Sequence, residues 1–291
     1  MSNTLVTIAI PAYKSAYLSE SICSALQQYY RNIELIVVDD CSPDDIKGVV
    51  DAFDDTRIRY VRNDVNLGST SVVHNWNRCL NEARGEFFVL LCDDDILLPN
   101  MVSSMLALAE KYPECGIFHA GRSVLRKSGE RYTAESWAEE ESYAEFVERK
   151  FEGKRKHTIT EFFYRTALIR KEKYAVFPVG FYSDDVTILH LCKLQGKMVS
   201  CDEPLVVFRE SEVHITGNDR YAEGKLQAFI QYYSYLQADP LLRDRISKEG
   251  YECIASQYLM HCDRKTIIRM LPLLPKSREM LKTALYLLLK R

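Results

Sequence analysis

Over the first 120 residues, short apolar runs alternate with segments whose apolar residues recur at helical spacing. Residues 6–10, 33–38, 58–61, 87–91 and 116–119 read as strands, and 17–28, 46–53, 70–83 and 98–111 as helices. The strand candidates are almost wholly apolar rather than alternating, so both of their faces must be covered. Strands that are joined by helices pair in parallel, because a parallel crossover needs a dozen or more residues. The alternation therefore predicts an α/β fold with a Rossmann-like, mainly parallel sheet flanked by helices.

Later residues are less regular. Lys127-Ser128-Gly129-Glu130 reads as a hairpin turn. Residues 134–156 are densely charged, with six glutamates before Lys150, Lys154, Arg155 and Lys156, and are expected to form a solvated helix and loop. A helix is expected over 186–194 and strands over 197–200 and 205–208. From Tyr221 onward only helical patterns occur, three or four of them, broken at Pro240, Gly250 and Pro272. With 291 residues, 47% hydrophobic and 27% charged, the chain suits one large domain or a domain plus an appendage. A net charge of −3 leaves no global basic footprint for nucleic acid. No run approaches the ~20 apolar residues that span a bilayer, and no signal peptide is evident. The nine cysteines are scattered, without a C-x-x-C pair. Cys23, Cys79 and Cys192 are expected as buried free thiols, which fits a reducing, cytoplasmic compartment.

Ligands of an open parallel sheet bind beyond the carboxyl ends of its strands. Three such ends carry unusual residues here: Pro11-Ala12-Tyr13, Asp39-Asp40, and Asp93-Asp94-Asp95. In a parallel sheet all three meet at one crevice. Three adjacent carboxylates repel one another, and a hard divalent cation, Mg2+ or Mn2+, compensates them. The other reading of the triplet is an acidic cap on the helix that follows. Tyr13 offers a face on which a nucleobase can stack, and Asp39 can accept a base N–H or cap its own turn. Asn66-Leu67-Gly68 opens a helix after the third strand without a G-x-G-x-x-G or P-loop pattern, so a diphosphate bound here would need the metal as counter-charge.

The blocks Val6 to Tyr13, Glu34 to Ser42, Asn66-Leu67-Gly68, and Ala83-Arg84-Gly85-Glu86 leading into Asp93-Asp94-Asp95 resemble, in order and spacing, the family-2 glycosyltransferases of the GT-A fold. The resemblance covers roughly residues 4–215. It implies a GT-A domain over 1–215, with a nucleotide-sugar half (1–120) and an acceptor half (121–215), followed by a helical region over 216–291. Two departures from the family pattern stand out: Cys41 replaces the glycine of Asp-Asp-Gly-Ser, and Cys92 occupies the first aspartate of the metal motif. The resemblance implies a nucleotide-diphosphate sugar donor, UDP-sugar first among them, with Mn2+ or Mg2+ and inversion at the anomeric carbon. Pro11, Tyr13, Asp39, Asn66, Asn77 and Asp93 are then the donor-binding candidates. Asp94 is the first metal-ligand candidate, with Asp95 and His214 beside it. Asp185, followed by Asp184, stands where the family places its general base, and Arg209 falls in its closing segment.

The acceptor implied is a saccharide or lipid-linked saccharide of bacterial surface polysaccharide or glycolipid synthesis. The basic, leucine-rich last helix has two readings. It packs on the catalytic domain or on a second subunit in a homodimer, or it makes peripheral contact with the inner face of the plasma membrane. Packing is the expectation. Two alternative functions remain: another metal-dependent nucleotide-binding enzyme (a nucleotidyltransferase or phosphatase), and a non-catalytic nucleotide-sugar-binding module.

Overall fold

A computed structural model describes residues 4–210, 221–274 and 277–290. Its first half follows the expected alternation: β1 Val6–Ala12, α1 Leu18–Leu26, β2 Ile33–Asp39, α2 Ile46–Asp51, β3 Ile58–Arg62, α3 Val73–Glu82, β4 Phe87–Leu90, β5 Ile96–Leu97 and α4 Met101–Lys111. Next come β6 Ile117–Leu125, β7 Arg131–Thr133, β8 Glu140–Ser142, α5 Tyr143–Phe151, β9 Phe162–Arg165, α6 Thr166–Glu172, α7 Ser183–Gln195 and β10 Lys197–Arg209. Four helices close the described chain: α8 Ala222–Ala238, α9 Lys248–Leu259, α10 Arg264–Met270 and α11 Arg278–Lys290.

The strands form one mixed sheet in the order β3-β2-β1-β4-β9-β6-β10-β5, with β7 on β6 and β8 on β10. β3, β2, β1 and β4 are mutually parallel, so the ends of β1, β2 and β4 do share one edge. β9 is antiparallel to both of its neighbours and reverses the direction at the middle of the sheet. The GT-A architecture expected from the resemblance is the one observed.

Pro11 does not stop β1, which runs on to Ala12. The β1–β4 pairing ends at Ala9, so the missing N–H of Pro11 falls on a side where no ladder remains. Gly85 is also explained by contact: a Cβ there would lie 2.6 Å from the Thr7 nitrogen. The Thr7 hydroxyl accepts from Gly85 N at 2.8 Å, so the Arg84-Gly85 block seats the chain that enters β4.

Several expectations need correction. Strand β9 was not legible, and residues 197–209 form one long strand with register shifts rather than two strands. Gly250 does not break a helix; it lies in the first turn of α9, where its N–H is capped by Ser247 Oγ at 3.0 Å. Cys23 is half-buried rather than buried, whereas Cys79 and Cys192 are buried, and all nine cysteines are free. The charged stretch 134–156 is not wholly solvated. Glu141 and Arg155 are buried against each other, and Arg155 lies over the Trp137 ring. α5 itself starts in a capping box, in which Ser142 N donates to Glu145 Oε2 at 2.9 Å.

Two apolar layers sandwich the sheet. One, containing α1 and α4, packs Ile8, Ile10, Leu35 and Val37. The other runs continuously from Ala9, Ile36 and Phe88 through α3, α5 and α7 to Phe229, Ala255 and Leu287 of the last helices.

Cys41, where the family pattern has glycine, adopts φ 52°. A side chain in the left-handed region costs about 1 kcal/mol. Cys41→Gly is expected to raise the thermal midpoint by about 2–4 °C in a melting experiment, whereas the β-branched Cys41→Val lowers it.

Candidate active site

The strand-end acids are bound to the loops that surround them. Asp93 Oδ2 accepts from the backbone nitrogens of Tyr13 (3.0 Å) and Lys14 (2.9 Å), which ties the end of β4 to the loop after β1. Asp39, wholly buried, accepts from Ser42 N at 2.8 Å, from the Tyr60 hydroxyl at 2.6 Å and from Arg62. The Ser42 hydroxyl in turn donates to the Tyr13 carbonyl at 2.6 Å. Asp40, also buried, takes the backbone nitrogens of Leu67 (2.8 Å) and Gly68 (2.7 Å). A Cβ on Gly68 would sit 2.7 Å from the Asp40 carboxylate, which is why glycine follows Asn66-Leu67. Asp95 accepts from Thr160 Oγ1 at 2.7 Å and from Arg209 N at 3.1 Å.

Asp94 alone of the triplet remains part-exposed. Tyr13, 40% exposed, presents its ring at the same edge, beside half-buried Pro11. Burial first, then the Asp94 charge, push Asp95 up to about 8, so the triplet carries fewer than three charges at neutral pH. Burial likewise raises Asp93, against the pull of Lys14 and its backbone donors.

Among the described residues no three His, Cys, Asp or Glu side chains are grouped to hold a metal ion. A cation here would take a single carboxylate, Asp94, and complete its shell from phosphate and water. Mg2+ is usually bound that way at nucleotide sites, and the residues fit it. Asn66 and Asn77 line a different hollow, a cavity of about 460 Å³ over the outer face of α3 with His74, Arg78 and Asn81. The Asn77 amide is engaged with the Tyr174 backbone, donating to its carbonyl and accepting from its nitrogen, both at 3.0 Å. His214 lies outside the described residues.

The second acidic group opens α7. Asp184 and Asp185 occupy its first turn, where the helix dipole favours negative charge. Each side chain keeps 23% exposure. Lys150 of α5, only 10% exposed, forms an ion pair with Asp185. His157 Nε2 stands 3.9 Å from Asp184 and 3.8 Å from Asp185. Burial holds His157 well below the usual histidine range, so its ring is neutral. Burial and the Asp185 charge together push Asp184 up to about 7, partly offset by Lys150.

The two acidic groups are joined by one short segment. His157 faces the Asp184–Asp185 pair, and three residues later Thr160 holds Asp95. A three-residue span is at most about 11 Å between Cα atoms, so one short segment ties the neighbour of the acid pair to the residue that holds the triplet. Glu161 fixes this segment from beneath, accepting from the Thr158 hydroxyl at 2.9 Å and from Arg122 at 3.0 Å.

Residues 7–176 match the family model described as "Glycosyl transferase family 2". The chain belongs to this family. A Campylobacter jejuni member, GalNAc(5)-diNAcBac-PP-undecaprenol beta-1,3-glucosyltransferase, is 27% identical over 272 residues, 88% of this chain and 81% of that protein. A protein of Escherichia coli K12 named for colanic acid biosynthesis is 34% identical over 135 residues; there the chain spans about half of its relative, 47%. The fold is shared with S. aureus TarS 1–349 in complex with UDP-GlcNAc (TM-score 0.66, 16% identity, 97% of this chain and 79% of that one). It is shared also with the mannosyltransferase PcManGT of Pyrobaculum calidifontis in complex with GDP-Man and Mn2+ (TM-score 0.56, 18% identity, 98% and 80%).

In this family member the sequence reading missed Lys150, His157 and Thr160. The only sequence signal was the clustering of cations behind the glutamates of residues 134–156, which equally describes a solvated face.

Asp184 yields a pH-dependent expectation. Its folded value, about 7, lies above the 3.8 of an unperturbed aspartate, so its contribution to stability is full below about pH 3.8 and is lost progressively as pH rises from there through about 7. Asp184→Asn should therefore gain in melting midpoint over the parent by several degrees at about pH 8, by less at about pH 5, and by little at about pH 4.

Proposed function

We propose that the protein moves a sugar from a nucleotide-diphosphate donor, UDP-sugar foremost, to an acceptor hydroxyl, with inversion at the anomeric carbon. The observation that carries this reading is that residues 157–160 touch both acidic groups, with His157 beside the Asp184–Asp185 pair and Thr160 on Asp95. One group suits a diphosphate and its cation, the other a reacting hydroxyl, and a single displacement needs both at once. Tyr13 and Pro11 receive the nucleotide at the edge that Asp93 and Asp39 hold in shape. A bound Mn2+ or Mg2+ on Asp94 would neutralise the charge that develops on the departing diphosphate. Asp185 takes the proton of the acceptor hydroxyl as that oxygen attacks from the face opposite the leaving group. Lys150, paired with Asp185, holds its carboxylate in place until the acceptor arrives. Complexes of neighbouring folds with UDP-GlcNAc, and with GDP-Man and Mn2+, support this donor and cation class.

The C. jejuni relative's name places its acceptor on an undecaprenyl diphosphate, which supports a lipid-linked saccharide acceptor here. The last helix supports the same reading. α11 buries Met280, Ala284 and Leu287 but leaves Leu281, Leu285 and Leu289 exposed on one face, near Lys282 and Lys290. Such a face suits peripheral contact with an anionic bilayer, which co-sedimentation with anionic against neutral vesicles tests. No helix among the described residues is long and apolar enough to cross a membrane.

The enzymatic reading is tested by nucleotide release from a panel of nucleotide sugars. Asp185→Asn is expected to lose about 10²–10⁴-fold in turnover with donor affinity retained, and near-normal turnover would remove Asp185 as base. Asp94→Ala is expected to lose the Mn2+-dependent thermal shift given by UDP; an unchanged Mn2+ response would contradict its role.

A further inference from the structure

The segment that leads into the acid pair is conformationally strained. Val179 (φ 52°), Gly180 (φ 80°) and Tyr182 (φ 61°) all lie in the left-handed region, and two of the three carry side chains, one of them β-branched. Such residues persist only where their surroundings over-determine them. The surroundings here are the residues that enter α3, where Val179 N donates to the Thr70 carbonyl at 2.9 Å and Gly180 lies against Val72, and, on Tyr182 itself, the C-terminal helices. Gly224 of α8 lies so close that a Cβ on it would meet Val179 Cγ1 at 2.7 Å. The Tyr182 ring stacks on Tyr232 of α8, with centroids 4.6 Å apart and planes 10° apart. Its hydroxyl is 2.9 Å from the Tyr258 hydroxyl of α9. The Tyr182 carbonyl accepts the first helical bond of α7, from Val186 N at 3.0 Å, so the Tyr182 backbone sets the direction in which Asp184 and Asp185 leave the loop.

We propose that Tyr182 is a positioning residue for the Asp184–Asp185 pair, locked in its left-handed conformation by Tyr232 and Tyr258, so that α8 and α9 belong to the catalytic apparatus. This rests on the reading of Asp185 as base. Relaxing Tyr182 to the right-handed region would turn the first turn of α7 away from the acceptor while leaving the Tyr13–Asp94 donor edge untouched. Loss of the clamp therefore lowers kcat and spares donor KM, whereas a cluster that only glues helices together would lower stability and leave kcat of the folded fraction unchanged.

The test uses the full chain with Tyr182→Phe, Tyr258→Phe, their double variant, Tyr232→Leu and Tyr232→Phe. Each hydroxyl deletion is expected to lower kcat about tenfold with donor KM within about twofold, and the double variant to fall no further, because the two hydroxyls make one contact. Tyr232→Phe keeps the stack and keeps parental kcat; Tyr232→Leu does not. Full kcat in Tyr258→Phe, or an additive double variant, overturns the proposal. Hydrogen exchange at the amides of 183–186 reads the clamp without any donor. Tyr258→Phe is expected to speed exchange there about tenfold while β1 and β4 keep parental protection, and unchanged exchange at 183–186 overturns the proposal even if Tyr232→Leu fails to fold. Faster exchange in a protein whose parent releases no nucleotide from any donor would instead sink the transferase reading and leave the clamp standing.

Discussion

Buried aspartates that accept backbone N–H groups hold the functional edge together. Asp39, Asp40 and Asp93 each take at least one amide from a loop that follows a different strand or from their own turn, and Asp95 takes that of Arg209 at the end of β10. A carboxyl oxygen is a good acceptor for such donors, and a buried one left without them would be costly. The same contacts satisfy amides of loops that have no ladder to join. The loops after β1, β2 and β3 are thus fixed by acids rather than by apolar packing. An edge held this way can stay open to a polar ligand without losing its shape. It also explains why the acids of the triplet and of β2 outnumber the one that stays part-exposed, Asp94.

The wall at the start of α7 is built by a different economy of charge. Lys150, Asp184, Asp185 and neutral His157 share a poorly solvated space, where a lone charge would be destabilising and a pair is tolerated. Residues 157–160 connect this wall to the triplet, and Glu161, His119 and Arg122 brace them, with the His119 ring stacked on Trp137 at 3.6 Å. The middle of the chain is irregular because it serves this bridge. Its backbone groups are satisfied by side chains such as Glu161 instead of by long regular elements.

Much of the parallel half of the sheet and its carboxyl edge was legible because its signals are local. The strands announce themselves by apolar runs bounded by glycine and proline, and the triplet is visible as three adjacent letters. Even Cys41 carried information, since the position where glycine is expected is one of positive φ. The wall at the start of α7 was not legible for the opposite reason. The Lys150–Asp185 pair spans 35 positions in a stretch whose charge density reads as solvent-facing, and the Glu141–Arg155 pair is hidden in the same stretch. β9 was missed because Phe162-Phe163-Tyr164-Arg165 is a short aromatic run without flanking turn signals.

Taken by itself, the sequence determined the parallel half of the sheet, the clustering of acids at its carboxyl edge and the family to which these blocks belong. Each of these follows from periodicity or from neighbouring residues, and needs no knowledge of distant contacts. Only the tertiary structure decided which acids are consumed in holding loops and which remains part-exposed, because burial depends on what packs from elsewhere in the chain. It also decided that Lys150 and His157 stand at the acid pair, and that helices from the last quarter of the chain press on the strained turn before it. These are long-range juxtapositions, set by how two apolar layers close over one sheet, and no local pattern encodes them.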